Sequence, residues 1–250
     1  MMNVLLSPLM LANIGLAFRQ SELNGKVIVL ILIFISVGAW TVMLTKFTQL
    51  RAARLASNRF VKNFREQARA TNLFVKKQHM PETPLDAIYT AGCKALIDQL
   101  ILIGVDRDEI LMGNVYPQGQ RRLDTHQMDV IRDAADCALA DKALELESLM
   151  GLLGTAVSVG PFLGLLGTVW GVMGTFSGMA TAGSATLSAV APGISGALLC
   201  TVAGLLVALP ATIGYSMLST RIRYLSVQMD NFAQEFTGRV QQEFMLDYSK

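Results

Sequence analysis

The sequence predicts an all-α, three-span integral membrane protein whose long helices extend into a helical cytoplasmic domain. Three observations support this fold class. Only 16% of the 250 residues are charged, against about 25% in soluble domains, and the mean hydropathy is +0.43. Residues Val27–Thr45 form an apolar run of 19 residues. The 73 residues Ser148–Thr220 contain no Lys, Arg, Asp, Glu or His, so this segment is long enough for two further crossings.

The first predicted span covers residues 27–45. Its 19 residues are close to the roughly 20 that are needed to cross about 30 Å of hydrocarbon. Within the N-terminal amphipathic segment, residues 1–26, we expect Met1–Phe18 to form an amphipathic helix at the membrane surface rather than a fourth span, because Asn3, Pro8 and Asn13 interrupt its apolar side chains. No cleavable signal peptide is expected, since no basic region begins the chain.

The uncharged segment divides at the polar, turn-like run Thr181–Ser188. This division predicts a second span over residues 149–179, a short loop outside the cytoplasm over residues 180–190 and a third span over residues 191–218. Both spans exceed the length needed to cross a bilayer. Each helix is therefore expected to tilt or to extend into water.

The basic residues near the span ends predict the orientation of the chain. Six follow the first span: Lys46, Arg51, Arg54, Arg59, Lys62 and Arg65. Two more, Arg221 and Arg223, follow the third span, whereas the loop between the second and third spans is uncharged. Cytoplasmic loops carry the excess of Lys and Arg. We therefore expect the N-terminus outside the cytoplasm, with residues 46–148 and 219–250 in the cytoplasm.

The large cytoplasmic segment is predicted to be helical. Amphipathic runs cover Leu85–Ile103 and Leu123–Ser148, and the second begins with a capping box formed by Asp124 and Gln127. No Gly or Pro interrupts the second run before the next span. We therefore expect it to continue into that span as one helix. The best loop candidate lies between the two runs, at Gly104–Gln120.

The charged and sulfur-containing side chains form no recognisable metal site or catalytic motif. The acidic cluster Asp106, Asp108 and Glu109 lacks the spacing of a calcium loop, and we interpret it as a solvated turn. Neither the two histidines, His79 and His126, nor the three scattered cysteines form a zinc motif. We therefore predict no catalytic residues, no cofactor and no metal. The net charge of +2 is too small to indicate a nucleic-acid partner.

Small residues dominate one face of each of the last two spans. In the second span, steps of three and four residues place six of them on one helix face: Pro161, Gly164, Thr168, Gly171, Thr175 and Gly178. The glycines at positions 160, 167 and 174 line the adjacent edge. The third span has its own set: Gly193, Gly196, Ala197, Cys200, Gly204 and Ala208. Small faces let membrane helices approach closely, so we predict a role for both sets in helix packing.

Three prolines mark special points in these spans. Pro161 and Pro210 leave the carbonyl groups of Val157 and Leu206 without a helical hydrogen bond, and hydrocarbon offers them no substitute. These carbonyl groups therefore need water or a neighbouring group. Pro192 suits the first turn of the third membrane helix.

Thr168 and Thr201 allow two interpretations. In the first, each hydroxyl bonds a carbonyl one turn back in its own helix, as is common in membrane helices. In the second, both threonines line a narrow, partly hydrated seam, where their hydroxyls solvate a proton or an acidic side chain. The uncharged segment supplies no acid of its own. A carboxylate that relays protons in this seam would therefore come from another chain.

The last two spans closely resemble the TolQ/ExbB proton-channel family, whose flagellar relative is MotA. The likeness is carried by Pro161–Phe176 (PFLGLLGTVWGVMGTF) and Ala191–Ala211 (APGISGALLCTVAGLLVALPA), and it is most specific over Gly160–Tyr215. It extends to the three-span layout, the orientation, the large cytoplasmic loop and the cytoplasmic tail. The segment Asp230–Phe244 is more similar to TolQ than to ExbB.

The resemblance implies a pentameric ring in the bacterial inner membrane that encloses the transmembrane helices of a TolR- or ExbD-like single-span partner. The single membrane aspartate of that partner would be protonated and deprotonated along the lumen. The two lumen threonines of the family correspond to Thr168 and Thr201. One departure concerns the family motif APGIAEAL, whose glutamate is replaced here by Gly196 in APGISGAL. This subunit therefore lacks the carboxylate that the family places in its channel.

Two functions follow as hypotheses. The first is a subunit of a proton-motive-force motor that works on the cell envelope, in outer-membrane integrity or energised transport. Protons are favoured over sodium ions because the seam offers few oxygen ligands for a metal ion. The second is a non-conducting membrane scaffold that holds a single-span partner, and the loss of the acid at Gly196 motivates it.

Overall fold

The computed structural model describes residues 23–76, 80, 82–105, 122–182 and 186–245. Within these residues six helices follow one another: α1 Leu23–Glu66, α2 Asn72–Val75, α3 Pro84–Leu102, α4 Thr125–Glu147, α5 Met150–Ala182 and α6 Leu187–Phe244. The same residues contain no strand beyond an isolated bridge between Leu123 and Met245. The predicted all-α fold is confirmed. The predicted surface helix before residue 23, the acidic cluster, His79 and most of the predicted loop lie outside the described residues.

Three helical stretches are long and apolar enough to cross a membrane, which confirms the predicted three-span architecture. They are Asn24–Glu66 in α1, Thr125–Thr181 across α4 and α5, and Val190–Phe244 in α6. Helix α1 begins at Leu23, before the predicted first span. Helix α6 has 58 residues and runs without interruption from the predicted third span into the predicted C-terminal helix.

The helical conformation is interrupted between α4 and α5, at Ser148 and Leu149. Leu149 has a φ of 65°, in the left-handed region that a residue with a large side chain rarely adopts. The N–H and the hydroxyl of Ser148 both donate to the carbonyl oxygen of Glu145, at 3.3 and 2.7 Å. The prediction of one uninterrupted helix through this point was wrong. Both residues leave the helical conformation although neither is Gly or Pro.

Helix α6 also begins earlier than the sequence predicted. Because its first residue is Leu187, Pro192 lies in the second turn and not in the first, so that prediction was wrong. The missing N–H of Pro192 leaves the carbonyl oxygen of Ser188 without its helical donor. Pro161 and Pro210 lie inside α5 and α6, as predicted.

The helices are distributed over two compact units. The first unit comprises Met1–Lys46 and Leu149–Leu218. Small side chains fill much of its interior, whereas large apolar side chains cover its surface. The exposed set includes Phe34, Trp40, Phe162, Leu165, Val169, Leu206, Leu209 and Ile213. A surface of this composition suits contact with lipid tails.

The second unit, Phe47–Ser148 and Ser219–Lys250, has an aromatic core. Its rings lie 5.1–6.4 Å apart, mostly edge to face: Phe60, Phe64, Tyr89, Phe232 and Phe236. These rings belong to α1, α3 and α6 and hold the three helices together. The hydroxyl of Tyr89 donates to the carbonyl oxygen of Ala70 at 2.8 Å and accepts from the N–H of Phe74 at 3.1 Å.

Helix α4 starts with the capping box that the sequence predicted. The side-chain oxygen of Gln127 accepts from the N–H of Asp124 at 3.0 Å, and the carboxylate of Asp124 accepts from the N–H of Thr125 at 2.6 Å. These bonds satisfy donors that the first turn of a helix leaves unpaired. The helix then packs against α3 in the same unit.

Candidate functional site

Helices α5 and α6 meet along a seam of small residues in the first unit. A Cβ atom added to Gly164 would stand 2.9 Å from the carbonyl oxygen of Cys200 and 3.1 Å from the Cα atom of Thr201. One added to Gly204 would stand 3.1 Å from the Cα atom of Gly164. Only glycine permits this approach of two backbones.

The seam continues with antiparallel register toward the C-terminal end of α5. A Cβ atom on Gly171 would lie 2.7 Å from the Cβ atom of Ala197, and Gly193 packs directly against Thr175. The hydroxyl of Thr175 donates to the carbonyl oxygen of Gly171 in its own helix, at 2.8 Å. The structure thus brings these predicted residues together. Among the described residues, no atom lies within 4 Å of a Cβ atom added to Gly178, so Gly178 lies beyond the described part of the seam.

The hydroxyl groups of Thr168 and Thr201 meet across this seam. Their oxygen atoms are 3.3 Å apart, and both residues are half-buried. Thr168 also donates to the carbonyl oxygen of Leu165 at 2.7 Å. The hydroxyl oxygen of Thr201 lies 3.3 Å from the carbonyl oxygen of Gly164 in the neighbouring helix. Thr168 therefore makes the bond within its own helix that the first interpretation expected, while Thr201 contacts the other helix.

This pair has spare capacity to accept hydrogen bonds. A hydroxyl carries one proton and two lone pairs. The proton of Thr168 is directed to Leu165, and that of Thr201 can be directed either to the carbonyl oxygen of Gly164 or to the hydroxyl of Thr168. Neither arrangement fills all the lone pairs. The pair can therefore accept a hydrogen bond from water or from a protonated carboxylic acid.

Helix α1 contributes to this region, although the predicted site contained none of its residues. The thiol of Cys200 lies 3.8 Å from the carbonyl oxygen of Gly25 and 3.9 Å from that of the buried Gly196. Ile28 lies 3.5 Å from the place of a Cβ atom on Gly167. Sequence reasoning missed Gly25 because it was assigned to the segment before the first span. The sequence feature that could have identified Gly25 is its spacing of three residues from Ile28, which places both residues on one helix face.

The seam offers hydroxyl and carbonyl oxygens but no acid or base. The described residues contain no group of three His, Cys, Asp or Glu side chains that could hold a metal ion. Between Ser148 and Thr220 the sequence has no Lys, Arg, Asp, Glu or His, and its only side chains with an ionisable group are the thiol of Cys200 and the phenol of Tyr215. The seam is therefore suited to solvate a neutral acid brought by another chain.

Comparison with known proteins identifies the family. Residues 84–231 match the model of the MotA/TolQ/ExbB proton channel family. The chain belongs to this family. The Tol-Pal system protein TolQ of Pseudomonas aeruginosa is 32% identical over 213 residues, which cover 84% of this chain and 85% of that protein. TolQ of Haemophilus influenzae is 29% identical over 222 residues, which cover 88% and 90%. The biopolymer transport protein ExbB of Salmonella typhimurium is 29% identical over 213 residues, which cover 82% and 77%.

Membership of the MotA/TolQ/ExbB family confirms the resemblance inferred from the last two spans, including its TolQ-like character. The matched segment begins at Pro84, the first residue of α3, and contains Thr168, Gly196 and Thr201. The family comprises channel proteins and is not an enzyme family. Together with the three apolar helices, it establishes a multi-pass membrane protein.

Proposed function

We propose that this chain is a subunit of an inner-membrane proton channel that drives a mechanical motor. Together with a TolR- or ExbD-like single-span partner, it uses the proton motive force to do work on the cell envelope. Family membership and the similarity to TolQ over 85% of that protein's length support the proposal. The observation that carries it is the contact between the hydroxyls of Thr168 and Thr201, 3.3 Å apart inside a segment without charge.

The threonine pair would stabilise the neutral form of the partner's acid as it passes. An ionised carboxylate near the centre of a bilayer costs several kcal/mol, whereas the protonated acid is much better tolerated. The O–H of that acid would donate to a free lone pair of Thr201 or Thr168. Protonation would then allow the partner's acid to move along the apolar wall of the channel. Deprotonation would hold the acid at the polar end of the channel.

The acidic side chain that carries the proton would come from the partner and not from this chain. The resemblance places a glutamate where this chain has Gly196, and the chain has no other carboxylate between Glu147 and Asp230. The proposal therefore assigns the entire proton relay to a membrane acid of the partner. Gly196 would act through its small size, since it is buried and close to Cys200.

The arrangement in the membrane follows from the basic residues at the span ends. Residues 1–26 would face the periplasm, and residues 46–148 and 219–250 would face the cytoplasm. A proton that crosses a potential of 100 mV releases about 2.3 kcal/mol, so useful work needs repeated passage. A ring of five such chains around the partner would convert each protonation into one step, and the partner would carry the motion to the envelope.

The test replaces each hydroxyl by a methyl group. Thr168→Val and Thr201→Val remove the pair with little change in shape. Two matched controls are Thr155→Val in α5 and Thr212→Val in α6. Both are exposed threonines whose hydroxyls donate to their own helix, at 2.9 and 2.7 Å. Each variant replaces the chromosomal copy, and envelope integrity is measured as leakage of a periplasmic enzyme and as sensitivity to detergent.

We expect both seam variants to leak and both controls to behave as wild type. Immunoblots of membrane fractions establish that all four variants are present in equal amounts. If Thr168→Val and Thr201→Val protect the envelope as well as wild type does, the proton-path assignment is wrong. If the controls fail equally, the effect belongs to helix stability and not to the pair.

The second candidate function is a non-conducting scaffold that holds the partner in place. Gly196 favours it, because a chain without its own channel acid need only provide a packing surface. Proton flux into liposomes that contain the chain and its partner separates the two functions. Flux that depends on the partner's acid supports the motor, and an absence of flux under an imposed potential supports the scaffold. The same liposomes, tested with sodium in place of a proton gradient, decide which ion is coupled.

A further inference from the structure

Four arginines follow the apolar spans at the start of the second unit: Arg51 and Arg54 in α1, and Arg221 and Arg223 in α6. Three are exposed and Arg221 is half-buried. We call this set the arginine collar. No Asp or Glu occurs between Asn24 and Arg65 or between Ser148 and Met229. In the described part of the chain, none of the four forms an ion pair with a carboxylate. Among the described residues, the positive charges of the collar are therefore not compensated by carboxylates.

Aromatic rings hold two of these arginines in place. The guanidinium carbon of Arg54 lies 4.6 Å from the centroid of the Tyr224 ring, and that of Arg221 lies 4.2 Å from the centroid of the Phe47 ring. Each contact joins α1 to α6, so Arg54 and Arg221 lie where the two helices meet, while Arg51 and Arg223 lie within three residues of them along the same helices. A guanidinium that lies over a ring keeps the N–H groups at its edge available for an anion.

The distance from the spans matches the position of lipid headgroups. Arg223 lies five residues beyond the predicted end of the third span, about 7.5 Å along a helix, and Arg51 lies six residues beyond the first, about 9 Å. The headgroup layer on each side of a bilayer is about 5–8 Å thick. An arginine side chain can bridge the remaining distance, because its apolar stem can lie along the membrane while its charge stays at the surface.

We propose that the arginine collar binds the phosphate groups of anionic phospholipids. Arginine presents two parallel N–H groups that match two oxygens of a phosphodiester. The phosphate of a membrane lipid is favoured over free phosphate because the collar follows two membrane spans, where lipid headgroups are concentrated. A zwitterionic lipid carries a phosphate as well, but its ammonium group opposes the positive charge of the collar. The proposal does not depend on which way the chain is oriented or on the proton path.

The experiment uses the full chain, purified in a mild detergent and stripped of lipid. It is titrated with dioleoylphosphatidylglycerol while the midpoint of thermal unfolding is followed, and the lipid concentration at which the midpoint starts to rise reports the apparent dissociation constant. Dioleoylphosphatidylcholine and inorganic phosphate are titrated in separate arms. The test variant is R51Q/R223Q, because no described group forms a hydrogen bond, ion pair or ring contact with either side chain. The control R132Q removes an exposed arginine from α4, sixteen residues before Ser148 and about 24 Å from it along a helix.

An arginine near an anionic membrane surface contributes about a fivefold gain in affinity, so we expect the double variant to need about 25-fold more phosphatidylglycerol. R132Q should match wild type, and phosphatidylcholine should have a much weaker effect. The single variants R51Q and R223Q should each need about fivefold more phosphatidylglycerol than wild type. They repeat the test with a smaller perturbation. An unchanged phosphatidylglycerol response in R51Q/R223Q would overturn the proposal. So would an equal response to phosphatidylcholine, or to inorganic phosphate at the same concentration.

Discussion

Replacing Gly164 with alanine should open the contact between Thr168 and Thr201. The new Cβ atom would stand 2.9 Å from the carbonyl oxygen of Cys200 and 3.1 Å from the Cα atom of Thr201. Carbon atoms pack comfortably at about 3.5 Å or more, so α6 must retreat by about 0.5 Å. A retreat of that size would lengthen the separation of the two hydroxyl oxygens from 3.3 Å to about 3.8 Å, beyond hydrogen-bonding range.

The same substitution should lower the stability of the chain. Overpacking a tight contact costs about 1–3 kcal/mol, whereas alanine gains about 1 kcal/mol over glycine within a helix. The net loss for Gly164→Ala is therefore about 0–2 kcal/mol. Gly178→Ala is the matched control, because it lies in the same helix and its new Cβ atom meets no described atom within 4 Å. The two variants should differ by about 1–3 kcal/mol.

The assay compares the two variants in the same detergent and in the same cells. Melting temperature reports the packing, and leakage of a periplasmic enzyme reports the function. Gly164→Ala should melt below wild type and leak, whereas Gly178→Ala should melt at or above wild type and retain the envelope. If Gly164→Ala equals Gly178→Ala in both measurements, then α5 and α6 do not approach as closely at Gly164 as the structure shows.

Three further predictions concern local features outside the seam. A maleimide should label the exposed Cys137 in the folded chain but reach Cys93 only after unfolding, because burial hides that thiol and raises its pKa; equal labelling by peptide mass spectrometry would contradict this. Leu149→Gly should raise the melting temperature, since it relieves about 1 kcal/mol of strain at a left-handed residue; a lower melting temperature would show that the leucine side chain matters more. Asp124→Ala should lose about 0.5–2 kcal/mol of stability with the capping box, and an unchanged denaturation midpoint would show that the cap is dispensable.

Local patterns in the sequence predicted most of the fold. The three spans follow from apolar length, and the start of α4 follows from the Asp124 capping box, because both signals lie within a few residues of the feature they specify. The break at Leu149 does not follow. Its left-handed backbone occurs at a leucine, a residue type that ordinarily continues a helix.

The seam was predicted in part. Helical spacing placed Gly164, Gly171 and Gly178 on one face, but in the described part of the chain only the first two contact α6, because spacing cannot show where two helices diverge. Hydroxyl chemistry selected Thr168 and Thr201, yet their meeting depends on the antiparallel register, which long-range packing sets. The contributions of Gly25 and Ile28 in α1 are equally long-range, since they come from a distant part of the chain.

Proton flux into liposomes tests the central claim most directly. Vesicles containing the chain and its single-span partner carry a pH-sensitive dye, and a potassium diffusion potential of about 100 mV drives the ions. The account predicts an inward proton flux that disappears when the partner's membrane acid is replaced by its amide. The flux should fall sharply with Thr201→Val in this chain and persist with the control Thr212→Val. A flux that survives both the loss of the partner's acid and Thr201→Val would contradict it.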